Sequence, residues 1–245
     1  MTMNTLTRKQ REIQDRQQRI LDVARTMLMD GGYLGLNMDR IAAALEYSKG
    51  TIYQHFACKE DIILALVNET QQKRLELFQR ASRFRGLSRE RLAAIGFTCE
   101  LFVRLFPEHF NVERIIRASS IWEKTSEEGR RTMRSCESLC IGIVSGVVRE
   151  GVAAGDLALP ESLFPEDLVF GLWSTTFGGY SIIATSDSLL ELGIRDPFEA
   201  IRQNITRVLD GYGWRPLSTE HDYEQVITRI SQEIFADETR RLATR

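Results

Sequence analysis

Apolar residues recur along this chain at the period of a helix, and no stretch of useful length alternates strictly as a half-buried strand would. Ile20, Val23, Ala24, Met27 and Leu28 fall at i, i+3, i+4, i+7 and i+8, one stripe of a helix that starts at about residue 8 or 14 and runs to Asp30. Gly31-Gly32 is a stop signal for it. Asn37 reads as the N-cap of a second helix, with Asp39 in its first turn and Met38, Ile41, Ala42 and Leu45 on its buried face. After a turn at Glu46-Tyr47, Ser48 caps a short third helix over 49–55, with Ile52 and Phe56 pointing inward. Lys59-Glu60-Asp61 opens a long fourth helix reaching about residue 83, with Ile62, Ile63, Leu66 and Val67 inside. Further helices are predicted over about 88–106, 107–119, 127–154, 165–186, 197–212 and 219–241. The fold class is therefore all-α, with a three-helix unit over 1–58 and a larger helical domain over 59–245.

The third helix raises a physical question, because an isolated helix of seven residues is marginal in water. Packing of Ile52 and Phe56 on Ile20, Ala24, Ile41 and Leu45 would hold it. The opposite face is then free, and it carries Lys49, Thr51, Tyr53, Gln54 and His55. Two short helices joined by a tight turn after a longer one form a helix-turn-helix. Seven residues make a rod about 10 Å long, which fits a major groove about 12 Å wide. Lys49 can meet guanine acceptors or phosphate, and Thr51 and Gln54 can meet base edges. Gly50 lets the backbone come close to DNA, while Tyr53, His55 and Lys59 suit phosphates. The amides at the start of helix two, near Asn37 and Met38, are a second phosphate site.

Composition changes this picture only locally. With 245 residues and a net charge of -2 the chain is no polycation, so any affinity for nucleic acid must come from a patch. Four cysteines, Cys58, Cys99, Cys136 and Cys140, do not make a secreted disulfide framework, and reduced thiols in the cytoplasm are expected. Cys136 and Cys140 stand at i, i+4, which leaves a thiol- or metal-responsive sensor as an alternative, although two thiols fall short of a four-ligand site. No G-x-S-x-G, H-E-x-x-H or G-x-x-x-x-G-K-[ST] occurs, so neither an enzyme nor a cofactor is expected. The N-terminus has no apolar run behind its basic residues and does not read as a signal peptide. The uncharged stretch 168–186 is interrupted by hydroxyl residues and glycines, which points to a buried helix interface and not to the membrane.

From Arg19 to Val67 the sequence RILDVARTMLMDGGYLGLNMDRIAAALEYSKGTIYQHFACKEDIILALV strongly resembles the DNA-binding domain of TetR/AcrR-type transcriptional repressors. The resemblance rests on Ile20-Leu21-x-x-Ala24, Gly32, Ile41-Ala42, Ser48-x-Gly50-Thr51-Ile52-Tyr53-x-His55-Phe56 and Lys59-Glu60, in the family's order and spacing. It implies that 49–55 is the recognition helix and that Tyr53, His55 and Lys59 meet the DNA backbone. It also implies a homodimer on a palindrome-like operator and a small-molecule pocket in the larger domain whose occupancy releases DNA. Asn37 stands where the family usually has Thr. Glu46-Tyr47 departs from the family's Gly followed by a small apolar residue, so either Glu46 is strained or the turn differs.

Beyond residue 67 the resemblance thins, and helix chemistry takes over. The uncharged helix 165–186 is expected to build a dimer interface, with Gly171, Thr175, Gly178 and Gly179 allowing close approach and Leu168, Leu172 and Ile182 filling gaps. Ile201, Ile205, Val208 and Leu209 on the next helix would complete a four-helix interface with a second copy. An effector pocket is expected among helices five to eight, lined by Phe102, Phe106, Phe110, Ile116, Trp122, Cys140, Val144, Trp173, Phe177 and Tyr180, which suits an apolar or aromatic ligand. Glu100, Glu113, Arg114 and Arg117 could anchor a charged ligand, but they are expected on the solvated surface.

Overall fold

The structure, a computed structural model, describes residues 7–117 and 123–244. All regular structure among them is helical: α1 (Arg8–Gly35), α2 (Met38–Ala44), α3 (Lys49–His55), α4 (Lys59–Ala81), α5 (Ser88–Leu105), α6 (Pro107–Ile116), α7 (Glu127–Ala153), α8 (Pro165–Ile183), α9 (Pro197–Gly211), α10 (Tyr223–Glu233) and α11 (Ala236–Ala243), with a 3-10 turn at Leu190–Leu192. No helix among the described residues is long and apolar enough to cross a membrane. The chain forms two compact units, residues 1–70 with 108–134 and residues 71–107 with 135–245. The 58/59 position expected to divide the chain lies at the start of α4.

In the first unit, the apolar stripe of α1 (Ile20, Leu21, Ala24, Leu28) packs with Ile41 and Ala42 of α2, Ile52 of α3, Phe56, and Ile62, Ile63, Leu66 and Val67 of α4. Val112, Ile116 and Met133 complete this core. The α1 rod is interrupted at Gly32, whose φ of 58° and ψ of -160° lie in territory that only glycine enters at ease. Thr7 and Gln10 form a reciprocal capping box, so α1 starts well before its first buried residue, Ile20.

The second unit centres on α5. Trp214 is fully buried, and its Nε1 donates to Ser88 Oγ at 3.0 Å, which in turn donates to Asp156 Oδ2 at 2.9 Å. Arg89 is only 1% exposed. Its guanidinium donates to the carbonyls of Trp214, Pro216 (2.9 Å) and Thr206 (3.1 Å) and pairs with Asp210 at 2.7 Å, lying 4.8 Å from the Tyr223 ring. Helices α8 and α9 pack closely: a Cβ added at Gly179 would stand 2.6 Å from Ile201 Cδ1, so a larger residue there would make the Ile201 side chain shift. The single helix expected over 219–241 is two, because the chain breaks at Ile234 and Phe235. Glu100 and Glu113 are not on a solvated surface but buried. Glu100 pairs with Arg104 at 2.8 Å and with Arg202, and Glu113 pairs with Arg117 at 3.4 Å.

Candidate nucleic-acid interface

Two side-chain caps fix the helix-turn-helix. Asn37 Oδ1 accepts from the amides of Asp39 (2.8 Å) and Arg40 (3.2 Å), and Ser48 Oγ accepts from the amide of Thr51 at 3.1 Å. The amides of Asp39 and Arg40 are thus already bound within the cap. Between the helices, Tyr47 N donates to Ala42 O (2.9 Å) and Glu46 N to Ala43 O (3.2 Å), the paired bonds of a Schellman turn. Its left-handed position is held by Glu46, at φ 54°. Glycine is the usual occupant, and a residue with a Cβ costs about 1–2 kcal/mol there. Glu46→Gly is therefore expected to stabilise the first unit by about 1 kcal/mol, read as a higher midpoint in urea with an unchanged slope.

The recognition-helix candidate α3 divides into two faces. Ile52 and Phe56 are buried, whereas Lys49, Gly50, Gln54 and Tyr53 are exposed, Tyr53 at 53%. A tyrosine that wet is not a core residue. Thr51 and His55 are half-buried, and the Thr51 hydroxyl lies 2.8 Å from Ser48 Oγ. Lys49 Nζ is 2.7 Å from Asp39 Oδ2, with both side chains exposed. That hydrogen bond, reinforced by the carboxylate's charge, holds the Lys49 ammonium above its ordinary range. A surface pair of this kind adds little stability. It does aim Lys49 across the α2–α3 turn and leaves a phosphate to compete with Asp39. Burial, and then the charge of Arg16, pull His55 down from its usual pKa, so its imidazole is mainly neutral at pH 7.

Lys59 opens α4 and rests on Tyr33. Its Nζ sits 3.9 Å from the centre of the Tyr33 ring and 3.4 Å from the Tyr33 carbonyl. The Tyr33 hydroxyl donates to the buried carboxylate of Glu60, which pushes the phenol up to about 12. Tyr33 and Glu60 thus hold Lys59 in place, and Arg16 stands beside His55 on the exposed surface. Sequence reasoning missed all three as site residues, since only the fold brings Tyr33 and Arg16 to the ends of α4 and α3. Residues 1–58 carry eight Lys and Arg against six Asp and Glu, while 59–245 carry twenty-four against twenty-eight, so only the first segment has a net positive charge.

The remaining sequence-derived candidates distribute as follows. Phe110 and Ile116 belong to the first unit and are buried. Phe102, Cys140, Val144 and Tyr180 are buried in the second unit, with Phe106, Trp173 and Phe177 half-buried. Trp122 lies outside the described residues. The rings of Phe102 and Phe106 lie 5.8 Å apart, with Arg74 and Lys73 over them. A groove of about 570 Å³ in the second unit is lined by polar and charged side chains within Glu199–Arg207 and Ser218–Glu224. Of the interface candidates, Leu168 and Leu209 face their own chain's core and Gly179 meets Ile201 of the same chain. Gly171, Thr175, Ile182 and Val208 are exposed, and Leu172, Gly178, Ile201 and Ile205 are half-buried. The thiol- or metal-sensing alternative gains no support: Cys136 and Cys140 are buried, and no group of three or more potential metal ligands occurs among the described residues.

A capped pair of short helices with one buried and one polar face, on an all-helical chain, defines a helix-turn-helix DNA-binding regulator. Residues 20–66 match the family model "Bacterial regulatory proteins, tetR family". The fatty acid metabolism regulator protein of Bacillus subtilis is 25% identical over 183 residues, 71% of this chain and 91% of that protein. A TetR/AcrR-family regulator structure from Thermobifida fusca is 25% identical, with a TM-score of 0.58 over 81% of this chain and 98% of that one. A structure from Saccharomonospora viridis with choline bound is 18% identical, with a TM-score of 0.63 over 80% and 96% of the two chains. Residues 20–66 thus match the DNA-binding domain of the tetR family, and the chain as a whole is similar to TetR/AcrR-type transcriptional regulators.

Proposed function

We propose that the chain is a ligand-responsive repressor that binds a palindrome-like operator as a homodimer and leaves it when a small apolar or aromatic effector binds. The observation that carries this reading is α3, which buries Ile52 and Phe56 and turns Lys49, Tyr53 and Gln54 to solvent. In functional terms 1–58 is the DNA-reading part, with Asn37, Met38, Ser48, Gly50, Thr51, His55 and Lys59 beside those three, and 59–245 is the effector-binding and pairing part. One seven-residue helix reads too few base pairs for a genomic address, and two-fold repetition doubles the contacts. The aromatic content of the second unit, and a relative named for fatty acid metabolism, favour an apolar effector. Effector binding would act by stabilising an arrangement of the larger domain in which the two recognition helices no longer match successive major grooves about 34–36 Å apart.

Selection of bound sequences from a random DNA pool tests this reading. Two inverted half-sites with centres one helical turn apart, or a whole multiple of it, are the expected result. Recovery of no enriched sequence, or of a single unrepeated site, would count against it. Gln54→Ala should relax the preference at one position of each half-site and cost about 1–3 kcal/mol per lost bidentate base contact.

A further inference from the structure

The family match begins at residue 20, yet α1 is helical from Arg8. The overhang is built into the sequence, because Thr7 and Gln10 close a capping box at its start. Every residue over 8–19 is exposed except Gln17, which is half-buried, so no core contact explains why this segment is helical or what it does. It carries Arg8, Lys9, Arg11, Arg16 and Arg19 against Glu12 and Asp15. At 100° per residue, Arg8, Lys9, Arg16 and Arg19 fall within an arc of about 100°. Glu12 lies in the same arc and is paired to Arg8 at 2.9 Å. Lys9, Arg16 and Arg19 have no ion-pair partner among the described residues.

The direction of that arc is fixed by the core. Ile20 packs in the same cluster as Ile52 and Phe56 of the recognition-helix region, and Arg16 stands one turn before Ile20 on the same side. Arg16 is close enough to His55, at the end of α3, for its charge to disfavour protonation of that imidazole. Lys9 follows two turns further along the same face, about 10 Å beyond Arg16. The cations therefore continue the polar surface of α3 outward along α1.

We propose that the α1 overhang is a second DNA-contacting surface, in which Lys9, Arg16 and Arg19 hold phosphates flanking the base pairs read by α3. This rests on the proposed function and extends it from one helix to two. Such contacts carry no base preference; they strengthen binding to any duplex and steepen its salt dependence. Each protomer that neutralises three phosphates contributes about 2.7 to the slope of log K against log salt.

The test uses the full chain and the variant Lys9→Gln/Arg16→Gln/Arg19→Gln, titrated by fluorescence anisotropy with a 40-base-pair random-sequence duplex between 50 and 200 mM NaCl. The variant is expected to lose about two to three from the slope per bound protomer, a deficit of roughly fifteenfold to sixtyfold in affinity per protomer on going from high to low salt. The charge-keeping variant Lys9→Arg/Arg16→Lys/Arg19→Lys should retain the wild-type slope. Equal slopes for wild type and the glutamine variant would overturn the proposal while leaving the proposed function intact. A wild-type chain that holds no duplex at 50 mM NaCl would instead defeat the proposed function. All three positions are exposed, so a shared melting temperature is expected and would exclude unfolding as the cause.

Discussion

Arg89→Met is expected to destabilise the second unit by about 3–5 kcal/mol, the range for removing one partner of a buried ion pair. The side chain is nearly sealed from water, and methionine would fill part of its volume while supplying none of its donors. The carbonyls of Thr206, Trp214 and Pro216 would lose their guanidinium hydrogen bonds, and Asp210 would keep only the Ser218 amide and hydroxyl. Those acceptors sit on α9 and on the segment that follows it, so one side chain ties α5 to the last third of the chain. The same contacts close over Trp214, whose indole is anchored to Ser88, the neighbour of Arg89. Arg89→Lys should recover only part of the loss, because an ammonium has three donors and no planar fork. Urea denaturation measures the cost, and hydrogen exchange of amides in 197–233 should show where it falls. A change below about 1 kcal/mol would mean that solvent replaces the guanidinium without penalty and that Arg89 is no hub.

Arg89 also marks where the sequence stops being legible. The N-terminal unit is written in short-range signals. Asn37 and Ser48 announce two helices of seven residues each, and the observed spans start one residue after these caps. The departure at Glu46-Tyr47 correctly points to a residue in a left-handed turn, because a Schellman motif leaves one position that favours glycine whatever the rest of the protein does. The C-terminal region is governed by partners far away in sequence. The break between α10 and α11 contains neither glycine nor proline. It exists because Phe235 turns into the core against Phe97, 6.3 Å between ring centres, and because Arg80 donates to the freed Ile234 carbonyl and pairs with Glu238. Nothing within ten residues of Phe235 records those partners. Burial of Glu100 was hidden for the same reason: its partner Arg202 comes from a distant helix, and the carboxylate reads as surface until that arginine is placed beside it. Candidate effector residues were chosen for aromatic character, a property that core and pocket share, so composition could not separate the two roles.

Ile182→Asp is expected to split the proposed homodimer while leaving each protomer folded. On α8, Gly171, Thr175, Gly178 and Ile182 follow one another at i, i+4, i+7 and i+11, a stripe that stays open to solvent or half-open in the single chain, with Ile182 57% exposed. The polar groups around it ask for no water: the hydroxyls of Ser174, Thr175 and Ser181 donate to carbonyls four residues back, those of Phe170, Gly171 and Phe177. Such a face can be buried against another helix without stranding a donor. Beside it, Val208 of α9 is exposed as well. An aspartate at position 182 would place an unpaired carboxylate in that contact, and two-fold symmetry repeats every substitution, so two buried charges of like sign would face the interface. A combined loss of about 4 kcal/mol corresponds to roughly a thousandfold weaker association. Light scattering at micromolar concentration should then give the monomer mass, with helicity unchanged. Operator affinity should fall to that of one half-site. Leu168→Asp is the internal contrast: Leu168 is buried in its own protomer, so the same charge there should unfold the second unit and not merely part the copies. A variant at Ile182 that keeps the dimer mass would place the pairing surface elsewhere, and the exposed stripe of α8 would then need another partner to cover it.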